Sequence, residues 1–359
     1  MLASANTLKS SKCRFFVLSI KQYIIPTIFV IFTVCLVIFS KSNLIAAKEG
    51  LNLWANNVVP SLLPFFIATE LLSHTDIIYK LGKLLNPIMR PLFNVPGLGS
   101  YPLFMGIISG YPTGAKIVVN LRKNNLCTKE EAERMLSFTN NSGPLFILGT
   151  VGISLFGNST IGFLLLITHI LSCITVGIIF RFYKAKNKAK HISSSTINTN
   201  KRDVDFSNLG EVLANSIISA INTVVMIGGF VVLFSVILSI LKNTNIINTM
   251  SNLLFPLFKI FGINNINFVN GSLCGILELT NGIAQVATIP YRKISINILL
   301  SAFLLGFGGF SVLLQVYSII SKSDISIKPY FCGKLLHGFL ACFYTFLFIT
   351  YLPIFNLNL

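Results

Sequence analysis

Eight stretches of the chain carry no Asp, Glu, Lys or Arg: residues 22–40, 50–69, 98–115, 139–180, 212–241, 260–277, 294–321 and 335–359. Most approach the roughly 20 apolar residues that an α-helix needs to cross a bilayer. The pattern predicts an all-α polytopic membrane protein. The stretch 22–40 follows basic residues, has no clean small-x-small cleavage site after it, and reads as a retained first helix. The stretch 139–180 is too long for one crossing and contains "NNSGP" and "FGNST", so it predicts a broken helix followed by a full one.

Two amphipathic pieces lie between these stretches. "IIYKLGKLLNPIMRPLF", residues 77–93, sets Lys80, Lys83 and Arg90 among apolar residues, the composition of a segment lying in the membrane interface. "CTKEEAERMLSF" places Thr128 and Glu131 at capping-box spacing and predicts a short surface helix.

Composition sharpens the reading. Hydrophobic residues make up 53% of the 359, charged residues only 11%, and the mean hydropathy is +0.76; soluble domains carry about 25% charge. The formal charge of +17 suggests a polyanion partner until its placement is considered. Residues 1–21 and 181–202 hold eleven basic residues and no acidic ones, each segment flanking an apolar run. That is the positive-inside signature of a membrane protein with a cytoplasmic N-terminus, and a nucleic-acid partner is not expected. The seven cysteines form no C-x-x-C pair or His/Cys cluster, so neither a disulfide framework nor a metal is predicted. No nucleophile–base pair, phosphate loop or cofactor motif is present, which disfavours an enzyme.

The chain divides at its polar stretch. A first segment, residues 1–45, comprises a cytoplasmic tail and first helix; 46–183 form one repeat, 184–207 a basic linker and 208–359 a second repeat. Gly106 and Gly110 match Gly271 and Gly275, and Gly143 matches Gly308, all at an offset of 165. "LWAN" and "VLAN", then "LLNP" and "LLFP", recur in the same order. With both basic segments on one side, the second repeat starts where the first one ends and runs the opposite way. Inverted repeats with broken or re-entrant helices at matched positions are a transporter architecture, with the substrate site near the midplane.

Glycine and proline inside lipid are tolerated only where the freed backbone faces protein, water or ligand. The breaks are "SGYPTGAK", "FTNNSGPLF", "GILELTNG" and "LGFGGFS", with Gly110, Gly114, Gly143, Gly275 and Gly308 as break glycines. Glu278 stands alone as a charge between Lys259 and Arg292. An intramembrane carboxylate costs about 3 kcal/mol and is read first as functional. Its counterpart at the same offset is Thr113. Lys116 either snorkels to the interface or faces a central cavity. Asn140, Asn141, Ser142, Asn281 and Gln285 are polar groups beside the breaks, suited to binding a solute or to capping helices. His169 and His337 lie within apolar spans, where an interhelical packing contact and a proton relay are both open, and Gln315 is expected as a packing contact.

At "GYPTGAK", at Leu126–Gly152 and at "GILELTNG" the chain resembles the YlbJ (SpoVV) family of sporulation integral membrane proteins, which carry a nucleoside-recognition (Gate) domain. The resemblance covers about residues 20–350. It implies movement of dipicolinic acid out of the mother cell across the outer forespore membrane, and a fold similar to concentrative nucleoside transporters, with hairpins and broken helices around a central site. The expected partners are then a small anionic solute, the lipid bilayer and other copies of the chain in a homo-oligomer. Lys116, the helix ends and the asparagines would meet a planar dianion, while Glu278 would pair with Lys116 in an empty site or bind a coupling proton. A nucleoside or other neutral-solute permease and a non-transporting membrane scaffold are the alternatives.

Overall fold

The computed structural model describes residues 23–75, 77–185, 208–290 and 295–352, and all the regular structure in them is helical. Most of the 184–207 linker and the first basic segment lie outside the described residues.

The chain enters through α1 (Tyr23–Ile38), which meets the following helix at a 99° bend. Almost the whole of α1 is exposed apolar surface, a face suited to lipid. Helix α2 (Ser40–Leu53), a π-helical turn (Trp54–Val58) and α3 (Val59–Ser73) then form one long interrupted rod, with Pro64 inside α3. The amphipathic α4 (Ile77–Phe93) buries Met89 and Phe93 and exposes Lys80 and Lys83. After it come the helical hairpin α5 (Ser100–Ser109) and α6 (Thr113–Lys123), then α7 (Lys129–Thr139), an extended break, a π-helical segment (Phe146–Leu155) and α8 (Ser159–Phe180).

The second half repeats that order. The long α9 (Leu209–Asn243) answers α2–α3, and α10 (Ile246–Ile260) answers α4, each of the latter pair carrying an internal proline. The hairpin α11 (Ile266–Leu277) and α12 (Leu279–Thr288) answers α5–α6. Helix α13 (Ser295–Phe307), a break at Gly308, α14 (Gly309–Ile320) and α15 (Ile327–Tyr351) complete the set. Among the described residues four spans are long and apolar enough to cross a bilayer, α8, α9, the α13–α14 pair and α15, and the bent α1–α2 pair makes a fifth if it is one span. At 1.5 Å per residue the 35 residues of α9 reach about 52 Å, more than the roughly 30 Å of a hydrocarbon core.

The halves also pack reciprocally. Helix α7 lies on α15 as α13 lies on α8, and α6 lies on α14 as α12 lies on the π-helical segment. Their senses are opposite. Ser42, at the start of α2, accepts from Asn243 at the end of α9 (2.9 Å), while Phe66 in α3 packs with Ala220 and Val224 near the beginning of α9. Trp54 between them donates to Val224 O at 2.9 Å. The first rod of one repeat therefore runs antiparallel to its counterpart, and the repeats are inverted.

One expectation is corrected. Helix α7 has the capping box, with Thr128 Oγ1 accepting from Glu131 N and Glu131 accepting from Thr128 N, yet it is not a surface helix: every residue from Glu131 to Thr139 is buried. Its charges are paired inside the protein. Glu131 takes Arg90 at 2.6 Å, Glu133 takes Lys184 at 2.9 Å and the N–H of Ser326 at 3.2 Å, and Arg134 donates to Tyr183 O at 2.9 Å. These bonds gather the ends of α4 and α8 and the starts of α7 and α15 at one end of the molecule. The Arg122–Asp324 pair lies at the same end, at 2.8 Å.

There the Arg122 guanidinium holds the Asp324 carboxyl below the usual carboxylate range. A carboxylate depressed in the folded state stabilises the fold above its unfolded pKa, and that contribution is lost as pH falls through the folded value. Both groups are partly exposed, so the pair is worth under about 1 kcal/mol. Asp324→Asn should lower the midpoint of thermal unfolding slightly at neutral pH, and the difference from wild type should close below about pH 4.

Candidate functional site

The hairpins and the breaks are the places where helical hydrogen bonding stops, and the fold brings all four together. Gly110 adopts φ +80° at the tip of the first hairpin, directly against Gly143 in the first break. In the second half, Gly308 and Gly309 take φ of +85° and +78°, with Gly309 against Gly275 O and Leu279 N of the second hairpin. Only glycine adopts such backbone without strain. Around these contacts lies a small cavity of about 70 Å³, lined by Gly110 and Tyr111, Gly143 and Phe146, Glu278 to Thr280, and Ser311, Val312 and Gln315.

Glu278 is 3% exposed and is the N-cap of α12: its two carboxylate oxygens accept from Thr280 N at 3.1 Å and Asn281 N at 2.7 Å. A carboxylate at a helix N-terminus meets the positive end of the helix dipole, which offsets part of the cost of burying its charge. Cap and cavity wall are thus the same side chain.

A larger cavity of about 730 Å³ lies between α3, α6, α9 and α14 and reaches the end that carries Lys123, Asn124 and Lys322. On its wall, the Lys116 ammonium is hydrogen-bonded to Glu70 Oε1, to Ser219 Oγ at 2.8 Å and to Thr223 Oγ1 at 3.5 Å. The expected Lys116–Glu278 pair is not formed, because Lys116 points from α6 toward α3 and α9, away from the second hairpin. Thr113 lines the same cavity with its hydroxyl buried and without a hydrogen-bond partner. Three lysines and one carboxylate face this space, giving it a net positive wall.

The remaining expected residues are divided. Asn140, Asn141 and Ser142 are fully buried and hold the break itself, lining neither cavity. Asn140 Nδ2 donates to Tyr330 OH at 2.9 Å, Asn141 Nδ2 to Phe138 O at 2.9 Å, and Ser142 N to His169 Nε2 at 3.2 Å. Asn281 and Gln285 sit on α12 beyond the cavity; Asn281 contributes its N–H to Glu278. Gly114 has Thr139 O against its α-carbon, and Gly275 faces Gly282 and Leu304.

Several residues of the site escaped the sequence. Glu70 closes the 50–69 apolar run and reads there as its boundary, and Ser219 and Thr223 are single hydroxyls in a long helix. Tyr111, whose OH is hydrogen-bonded to Ser142 Oγ, joins the first hairpin tip to the break. Gln315, expected as a packing contact, reaches the central cavity. Lys334 precedes the last apolar run by one residue and is 1% exposed. Its i, i+3 spacing to His337 was the available signal.

With this geometry in hand, the comparisons with known proteins are informative. The nucleoside-recognition (Gate) family matches residues 55–186, the region that contains the first hairpin, the first break and α8. The sporulation integral membrane protein YlbJ of Bacillus subtilis (strain 168) is 36% identical over 342 residues, covering 91% of this chain and 83% of that protein. No solved structure matches.

Proposed function

The chain belongs to the YlbJ family of sporulation integral membrane proteins, and from that premise we propose that it is a transporter that carries a small organic dianion, dipicolinate, out of the mother cell across the outer forespore membrane. The observation that carries the anion is the 730 Å³ cavity with Lys116 on its wall and Lys123 and Lys322 at its mouth. The basic end of the molecule faces the cytoplasm, as the positive-inside rule requires, so the cavity is the vestibule on the mother-cell side. A dianion entering it exchanges water for ammonium and hydroxyl donors. One of its carboxylates replaces Glu70 at Lys116, which frees Glu70 and loosens the contact between α3 and α6.

The inverted repeats supply the means of alternating access: two bundles with the same elements and opposite sense can rock around the hairpin tips. The central cavity, at about 70 Å³, is too small for an organic solute in this conformation. The protein is therefore closed at its centre and open toward the basic end.

The second reading, a nucleoside permease, is favoured by the Gate match and by Glu278 and Gln315 on the central cavity, where a sugar hydroxyl would find an acceptor and a donor. Flux of labelled dipicolinate into proteoliposomes, with adenosine as competitor, separates the two. The wild type is expected to carry dipicolinate whatever the adenosine concentration. Lys116→Gln should reduce that flux about tenfold or more, since a hydrogen bond to a charged group is worth about 1.5–3 kcal/mol. Flux of adenosine without dipicolinate would replace the first reading by the second, and flux of neither would leave a membrane scaffold.

A further inference from the structure

The break after α7 leaves main-chain carbonyls without helical partners, at the end of a half-helix where the dipole is negative. In transporters built from broken helices, such carbonyls are where a coupling sodium ion or proton is held. Here a cation from the chain itself stands there. Lys334 comes from α15, in the other repeat, and donates through Nζ to Asn140 O at 3.2 Å and to His337 Nδ1 at 3.3 Å. Its Nζ also lies 5.7 Å from the centre of the Tyr111 ring, within cation–π range.

The hydrogen bonds fix the surroundings. His337 Nε2 donates to His169 O at 3.0 Å, which leaves Nδ1 as a lone pair for Lys334. His169 Nε2 accepts from Ser142 N, so both rings are neutral acceptors toward the break. The two rings are tilted by 36° with centroids 4.4 Å apart, and each lies ten residues after the start of its helix, Ser159 in one case and Ile327 in the other. Among the described residues no carboxylate pairs with Lys334. Two further oxygens flanking Asn140, Thr139 Oγ1 and Asn141 Oδ1, are buried without a hydrogen-bond partner. The site is rich in oxygen and holds the side-chain nitrogen of Lys334, supplied by the chain itself.

We propose that Lys334 is a tethered cation occupying the position of an exchangeable alkali ion at the first break, so that the conformational cycle of this chain does not use sodium. The consequence for flux rests on the transporter reading above; the site itself does not. As an ammonium tied to α15, Lys334 would offset the negative half-helix end without leaving the protein and would couple α15 of one repeat to the break of the other, where a free ion would have to bind and leave.

The test is thermal unfolding of the purified full chain in nanodiscs, in sodium, potassium, methylammonium or N-methylglucamine chloride at equal ionic strength. The wild type is expected to unfold at the same temperature in all four. Lys334→Ala should unfold several degrees lower in N-methylglucamine and regain part of the loss, saturably, in sodium or methylammonium, because a ligand that binds only the folded state raises its stability. A saturable sodium shift in the wild type would overturn the proposal. So would a Lys334→Ala protein as stable as wild type, or one whose loss no small cation reduces, since the side chain would then be packing alone. If Lys334→Ala does not fold, Lys334→Met, which keeps the volume and removes the donor, takes its place, and the wild-type comparison stands by itself. This readout needs no substrate, so failure of the dipicolinate reading leaves it intact. In proteoliposomes carrying dipicolinate, flux should be equal with and without an inward sodium gradient, and dependence on that gradient would overturn the proposal.

Discussion

Gly282→Ala should leave little folded protein. A β-carbon at Gly282 would stand 1.9 Å from the α-carbon of Gly275, 2.2 Å from its nitrogen and 3.0 Å from Gly271 O. All three are backbone atoms, so no side chain can rotate away, and the arms of the second hairpin must separate. Overpacking a core usually costs about 1–3 kcal/mol through side-chain shifts; moving two helices apart belongs with the exceptional losses above about 4 kcal/mol. Set against a typical total stability of about 5–15 kcal/mol, that removes most of the margin of a protein at the low end of the range. Gly149→Ala is the control, since its β-carbon meets nothing within 4 Å. The measurement is the monodisperse fraction after size-exclusion chromatography in detergent, followed by thermal unfolding of what survives. A Gly282→Ala protein that behaves like Gly149→Ala would mean that the hairpin arms do not close on each other in the membrane.

The first hairpin has the same device in a different place. A β-carbon at Gly106 would lie 1.7 Å from Thr139 O, so this hairpin closes on the end of α7 as well as on itself. Matching glycines at an offset of 165 were visible in the sequence, as were the breaks they serve. What the sequence could not show is which backbone each glycine admits. Glycine coincidence states that something approaches closely; it does not name the atom.

The same division runs through the rest of the fold. The apolar runs revealed α8, α9, the α13–α14 pair and α15 because burial in lipid demands long stretches without charge, and the amphipathic α4 was legible from its cations set among apolar residues. Helix α7 misled for the converse reason. Its charges resemble a solvated face, yet Arg90, Lys184 and Tyr183 come to them from α4 and from the end of α8, far along the chain. Charge pairing across such distances has no periodicity. Lys116 and Glu70 illustrate the point at the site: each is legible as the edge of an apolar run, and only the packing of α3 against α5, α6 and α9 makes them partners on a cavity wall. The asparagines beside the first break, read from the sequence as solute-binding or capping groups, hydrogen-bond within the break, to Tyr330, Cys173 and the main chain.

Glu278→Gln should separate structure from transport at the central cavity. As an N-cap, Glu278 uses both carboxylate oxygens, on Thr280 N and Asn281 N. Glutamine keeps one acceptor and gains a donor that the cap cannot use, so the helix loses part of a cap, about 1 kcal/mol, and the unfolding midpoint falls by no more than a few degrees. Flux is expected to fall much further. Glu278 faces Gly110, Gly143 and Gln315 across the cavity where the two hairpins meet, and the transport proposed above would have to part these tips around its side chain. Losing a hydrogen bond to a charged group costs about 1.5–3 kcal/mol, or about ten- to a hundredfold in rate. The two readouts must diverge: near-normal unfolding with flux reduced at least tenfold assigns the carboxylate a role in transport. If flux falls only as far as the loss of folded protein accounts for, Glu278 is a helix cap that happens to border the cavity. In that event the proposed recognition of an anion would rest on the lysine-lined larger cavity, on groups such as Lys116 and Thr113.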